Sequence, residues 1–230
     1  MVKLIDRYLR QPITITKGLI IKMTIQWLGH ACFKITHNGY SVVIDPYDSD
    51  YIPGYPKLKT TADKLLISHN SAGHGYARGV TLSGKSEREN PFEISSFTVD
   101  HDSVGGIMRG TCLVHILEAD GMKIAHMSDI GTQLNGGQVS KLFGADVIMA
   151  TAGSLTGLPA QEIARMYDEL YPRVLIPMHY RDGKRGSRRL ETVQDLINCF
   201  DGTAFAKFYP TNTLEVTEDL EPQIAVLKFD

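Results

Sequence analysis

The chain has 230 residues, 43% of them apolar, enough for one sizeable core, and its 24 Lys and Arg against 26 Asp and Glu leave no concentrated basic surface for nucleic acid. The longest apolar stretch, residues 19–35, is broken by Lys22, Gln26 and His30, which excludes a membrane helix there, and Asp6, Arg7 and Arg10 do not fit an export signal. Cys32, Cys112 and Cys199 lie far apart without a C-x-x-C pair, so neither a disulfide scaffold nor a cysteine zinc cluster is expected, and a cytoplasmic location is.

Residues 24–28, 32–36 and 41–45 are short β-rich runs separated by Gly29-His30 and by the turn signal Asn38-Gly39, and they predict a meander. A loop rich in Pro, Gly and Tyr over 46–56 precedes the run 64–67, which ends on Ser68-His69 and a glycine-rich segment. Strands are expected at 92–100, 112–118 and 123–126, the last two joined by a hairpin turn at Asp120-Gly121. The second half changes period. Runs at 146–150 and 173–177 read as buried strands around a helix in which Ile163, Met166, Tyr167 and Leu170 keep helical spacing, punctuated by Pro159 and Pro172. A further helix is expected over 187–200, with Leu190, Val193, Ile197 and Phe200 on one face, before closing strands near Leu214 and Val226. Strands with interspersed helices predict sheets packed on each other and covered by helices.

Of the eight histidines, His69, His74, His101 and His179 fall at or just after predicted strand ends, where loops on a rigid scaffold present polar side chains. Asp129 follows another strand, within His126-Met127-Ser128-Asp129-Ile130-Gly131. Imidazoles with one carboxylate suit zinc, manganese or iron, and a metal so held acidifies water into a nucleophile. Taken singly, a histidine at a strand end is more often an ordinary hydrogen-bonded loop residue; only convergence in space makes a site.

The string Thr24-Ile25-Gln26-Trp27-Leu28-Gly29-His30-Ala31-Cys32-Phe33, followed by Val43-Ile44-Asp45-Pro46, Ile67-Ser68-His69, Arg109-Gly110, the segment from Ala125 to Gly131, and Ile176-Pro177-Met178-His179-Tyr180, resembles the metallo-β-lactamase superfamily. More narrowly, it is similar to the metal-dependent hydrolase branch that includes the L-ascorbate-6-phosphate lactonases. The resemblance implies an α/β fold, an αββα four-layer sandwich with a metal cleft at one edge of its sheets. It implies one domain over residues 23–230 and leaves 1–22 as an N-terminal extension, either a short added strand or an upstream misreading of the start.

In that family the loop after the fourth motif strand reads His-x-His-x-Asp-His; here the six positions are His69-Asn70-Ser71-Ala72-Gly73-His74. The resemblance implies His69 with His101 for one metal, His74 with His179 for its neighbour, and Asp129 shared between them. Ser71 and Gly73 then deprive each metal of one ligand. Ser128 and Thr132 also depart from the family's Gly and His. The implied cofactor is a divalent ion, Zn or Mn, as one or two ions, with Asp129 and His179 in catalytic roles. The implied substrate is a small anionic ester, lactone or phosphoester; a weakened or lost dinuclear site would instead leave a catalytically silent ligand-binding or interaction module. Replacing Ser71 by His together with Gly73 by Asp is expected to raise metal content and turnover.

Among the supporting residues, Asp45 matches the carboxylate that orients a ligating histidine, or is a strand-end turn residue. His30 and His126 read as structural, His37 as a turn residue and His115 as an ordinary strand residue. Residues 180–189, with five basic residues and one acid from Arg181 onward, form either a flap holding an anion or a solvated loop leading into a helix.

Overall fold

A computed structural model describes residues 22–84, 88–155, 157–200 and 206–229; all but Lys22 of the expected N-terminal extension lies outside the described residues. The chain runs β1 (Met23–Gly29), β2 (Cys32–His37), β3 (Tyr40–Ile44), β4 (Thr60–Ala62), β5 (Lys64–Leu66), β6 (Val80–Leu82), β7 (Glu93–Asp100), β8 (Thr111–Ala119) and β9 (Met122–His126). Helices then alternate with strands: α1 (Gly136–Leu142), β10 (Val147–Thr151), α2 (Ala160–Leu170), β11 (Val174–Met178) and α3 (Val193–Ile197) precede β12 (Ala206–Phe208), β13 (Thr213–Val216) and β14 (Gln223–Val226).

Two mixed sheets face each other, a five-stranded one ordered β13-β1-β2-β3-β5 and a seven-stranded one ordered β12-β14-β11-β10-β9-β8-β7. The alternation along β1 shows why they pack: Met23, Ile25 and Trp27 are buried while the residues between them are half-exposed, so one face of the strand is apolar. These residues join Phe33, Ile35 and Val42 from the first sheet with Leu117, Ile124, Ile148 and Ile176 from the second in a single buried cluster. Each such side chain contributes about 1.5–3 kcal/mol on leaving water. The central strands β10 and β11 are buried along their whole length, as parallel strands covered on both faces require.

Helix α2 covers the outer face of the second sheet against β10, burying Ile163, Ala164, Met166 and Leu170. Pro159 caps its start and Tyr171, at φ 49°, ends it before Pro172, as the sequence punctuation predicts. The outer face of the first sheet carries the loop after β3, whose Tyr47 and Tyr55 pack on Cys32 and Val43. The architecture is the α/β sandwich that the sequence led us to expect, with few helices.

Two helices differ from the sequence reading, and the three-residue strands β4, β6 and β12 add to it. The helix expected over 187–200 is reduced to α3, because Thr192 and Asp195 form a capping box that starts the helix there. The backbone of the preceding residues is taken by tertiary hydrogen bonds, Leu155 N to Arg189 O, Arg181 N to Glu191 O and Glu191 N to Gly153 O, and these outcompete the local pattern. The second element, α1, was missed because it opens on Gly136-Gly137, which suppresses helix propensity; the reciprocal Asn135 and Gln138 capping box was the available signal. No described helix is long and apolar enough to cross a membrane.

Candidate metal centre

Strand ends from both sheets deliver their next residues to one cleft of about 350 Å³, lined by His30, His69, His74, His101, Asp129 and His179 among others. His30 lies in the turn from β1 to β2, His69 and His74 in the loop after β5, and His101, Asp129 and His179 just beyond β7, β9 and β11. Four residues in or beside the cleft are left-handed without being glycine: His30 (φ 53°), Asp45 (51°), Ser128 (55°) and His179 (50°). Such a conformation costs roughly 1–2 kcal/mol per residue and persists only where the surroundings impose it. Here they do: the His179 amide donates to His30 O at 3.1 Å and the Asp45 amide to Leu66 O at 3.1 Å, tying the turns to one another.

Two triads could each hold an ion, their ligand atoms lying within 4.8 Å of one another: His69 with His101 and Asp129, and His30 with His74 and His179. Asp129 stands between the triads. Its Oδ2 is 3.2 Å from both His101 Nε2 and His74 Nε2, and its Oδ1 is 3.1 Å from His179 Nδ1. The cleft thus brings together all five residues that the sequence singled out. It adds His30, which the sequence reading had made structural; the signal lay in pairing that histidine with the missing side chain at Gly73.

Around these residues a buried hydrogen-bond chain holds one imidazole in place. His74 Nδ1 donates to Asp45 Oδ2 at 2.7 Å, and Asp45 also accepts from the Ser68 amide at 2.7 Å and the Ser68 hydroxyl at 2.6 Å. Ser128 in turn donates its hydroxyl proton to Ser68 Oγ at 2.6 Å. His74 Nε2 is left facing Asp129. The remaining histidines are bound elsewhere: His126 Nε2 donates to Ala31 O at 2.8 Å, and His115 pairs with the Ser96 hydroxyl at 2.8 Å. His37, expected as a turn residue, is buried at the end of β2 and bonded to Asp120 at 2.7 Å.

The electrostatics leave His69 and His179 ready for a cation, whereas His74, against its burial, is raised to about 10 by Asp129 and Asp45 and gives up a proton to bind one. Burial, reinforced by the positive potential of His74, brings His69 and His179 down to about 4, so both are neutral imidazoles at neutral pH. Burial alone would raise Asp129, but the charges of His179 and His74 outweigh it, with a hydrogen bond from His101, and hold it well below the usual carboxylate range. Four buried atoms, His30 Nδ1, His74 Nε2, His179 Nδ1 and Asp129 Oδ1, have no hydrogen-bond partner. Each such atom costs about 1–3 kcal/mol, a penalty relieved by an ion that accepts their lone pairs. The donor set therefore fits one or two divalent ions.

Arg109 and Arg189 line the same cleft and are exposed at its mouth. The loop bearing Arg109 is wound around Asp102, whose carboxylate accepts the amides of Val104, Gly106, Met108 and Arg109 at 2.7–3.0 Å. Within residues 180–189, Arg185 is tied to Asp182 at 3.0 Å and lies 5.0 Å over the Phe229 ring, whereas Ser187 and Arg189 reach the cleft.

The sequence pattern of the Beta-lactamase superfamily domain matches residues 24–179. A UPF0173 metal-dependent hydrolase of Methanopyrus kandleri is 26% identical, the match covering 69% of this chain and 84% of that protein. A second of that name, from Hyperthermus butylicus, is 24% identical over 68% of this chain and 82% of its own length. Among solved structures, a metallo-beta-lactamase superfamily protein of Thermotoga maritima, whose name proposes a Zn-dependent hydrolase, is 26% identical, with a TM-score of 0.65 over 89% of this chain and 98% of that one.

Proposed function

The chain belongs to the beta-lactamase superfamily, in its metal-dependent hydrolase branch, and from that premise we propose that it is a metal-dependent hydrolase of a small anionic ester, lactone or phosphoester. The observation that carries this reading is the convergence of His69, His101 and Asp129 within 4.8 Å at the floor of a cleft whose mouth bears Arg109 and Arg189. Bound there, a divalent ion such as Zn2+ or Mn2+ supplies a Lewis acid and water acidified to near neutral pH. His69, His101 and Asp129 hold the ion, and the low pKa of Asp129 keeps it an acceptor throughout the working pH range. His74 and His179 hold a second ion or move protons, with Asp45 fixing which nitrogen of His74 is offered. Arg109 and Arg189 receive the substrate's anionic group at the mouth, Arg being suited to bidentate contacts with phosphate or carboxylate.

A phosphorylated lactone of the kind taken by the L-ascorbate-6-phosphate lactonases falls within this class, and a working place in the cytoplasm, with residues 23–230 as the domain, accords with it. A catalytically silent binding module is the competing reading, favoured by Gly73 and Ser71, which offer neither carboxylate nor imidazole where the family pattern has them. Elemental analysis of protein reconstituted with Zn2+ or Mn2+ tests the two. Bound metal that falls in both His101→Ala and Asp129→Ala, together with turnover of aryl ester, lactone or phosphodiester probes, supports the hydrolase; metal without turnover supports the silent module, and no bound metal sinks the hydrolase.

A further inference from the structure

The triad of His30, His74 and His179 comes from three separate stretches of chain, and each member has one buried ring nitrogen with no hydrogen-bond partner. His30 is held firmly: its carbonyl accepts Trp27 Nε1 at 3.0 Å and the His179 amide at 3.1 Å, and its side chain is 3% exposed. Its ring centroid lies 4.2 Å from that of His179 and 5.6 Å from that of His74. Opposite stands Gly73. A β-carbon there would lie 3.0 Å from His30 Nε2 and 3.4 Å from its Cδ2, closer than a side chain and a ring normally approach. The Gly73 backbone is not left-handed, so conformation does not demand glycine at this position; the room taken by the imidazole does.

We propose that His30, His74 and His179 form a second metal site built from three imidazoles, in which His30 takes the place of the carboxylate that Gly73 cannot supply. The chemistry follows from the donors. A site of three imidazole nitrogens suits borderline ions such as Zn2+ and Co2+, whereas Mn2+ and Mg2+ favour carboxylate and water oxygens. The two triads therefore differ in selectivity, since His69, His101 and Asp129 include an oxygen donor. The departure at position 73 is then an exchange of one ligand type for another.

This inference rests on the metal cleft of the proposed function, and its test separates the two. Metal-stripped protein is titrated with Co2+, following the visible ligand-field absorption, and bound Co2+, Zn2+ and Mn2+ are counted by elemental analysis. Wild type is expected to bind about two equivalents of Co2+ or Zn2+ but about one of Mn2+. His30→Ala loses one Co2+ and keeps its Mn2+; His101→Ala loses the Mn2+ and keeps one Co2+. Gly73→Ala, which crowds the His30 ring without deleting it, weakens the second Co2+ by about tenfold or more and guards against a His30→Ala variant that fails to fold. Unchanged Co2+ binding in both His30→Ala and Gly73→Ala overturns the inference and leaves the hydrolase reading standing. Loss of an ion in His30→Ala but none in His101→Ala does the reverse, and a wild type that binds no metal overturns both.

Discussion

Asp45 Oδ2 accepts a 2.7 Å hydrogen bond from His74 Nδ1, and this one contact decides which nitrogen of the imidazole is available to the cleft. The carboxylate can play that part because it stays ionised: burial raises its pKa, but His74, His126 and the Ser68 hydroxyl together bring it below the usual value. Asp45→Asn replaces one acceptor oxygen by a donor and leaves the tautomer of His74 unspecified. Zn2+ affinity, measured by competition with a chromophoric chelator, is expected to fall about 10–100-fold. An unchanged affinity would mean that the ring is oriented by packing alone.

Ser128 sits at φ 55°, where the family pattern has glycine, and its hydroxyl donates to Ser68 Oγ at 2.6 Å. Two substitutions separate strain from bonding. Ser128→Ala keeps the strained backbone and loses the buried bond, so it should destabilise by about 1–2 kcal/mol. Ser128→Gly loses the same bond but removes a conformational penalty of about 1 kcal/mol, so its loss should be smaller by that amount. Urea denaturation of the three proteins reads the difference directly; equal losses would show that Ser128 carries no backbone strain.

Gly73→Asp no longer looks like a repair. From the sequence alone, Ser71→His with Gly73→Asp is expected to raise metal content, but a β-carbon at 73 meets His30 Nε2 at 3.0 Å. The double variant should therefore bind its second ion more weakly than wild type unless His30 is also reduced to Ala, which vacates the space. Metal counts for the double and triple variants check this, and a gain in the double variant alone would show that the ring yields easily.

Acid should weaken the fold before its carboxylates protonate. His115 and His126 face each other across β8 and β9, and burial holds both below 6.5, with His126 adding to the effect at His115. A base whose folded pKa lies below its unfolded one contributes full stability above the unfolded value. That stability is lost as the pH falls from there toward the folded value, because the unfolded chain takes up protons that the folded chain refuses. Urea midpoints of metal-free protein should thus decline as the pH falls below about 6.5, and less steeply in His115→Gln. A flat profile there would mean that these histidines are protonated in place.

Arg109→Ala and Arg189→Ala test the mouth of the cleft. Each charged hydrogen bond to an anionic substrate is worth about 1.5–3 kcal/mol, so kcat/KM should drop roughly tenfold or more, chiefly through KM, and added salt should narrow the gap from wild type. Activity on a neutral ester should hardly change. Equal losses on neutral and anionic substrates would place the two arginines in the architecture of the loops instead.

Much of this protein was determined by local rules. The alternation in β1, the turn signals at Asn38-Gly39 and Asp120-Gly121, and the spacing of α2 depend on residues close in sequence, and the structure has each of them. The strand-end positions of His69, His74, His101, Asp129 and His179 are legible for the same reason, since a strand that ends must deliver its next residue to a loop. Only the tertiary structure decided the rest. The start of α3 at Val193 depends on backbone partners from the loop after β10, and the assignment of Arg189, but not Arg185, to the cleft depends on Asp182 and Phe229. The meeting of His30 with Gly73 belongs to the same group. Each residue has an ordinary local explanation, a turn histidine and a loop glycine, and the ring fills the missing side chain's place only because the strand order β1-β2-β3-β5 within one sheet sets the β1–β2 turn near the loop after β5.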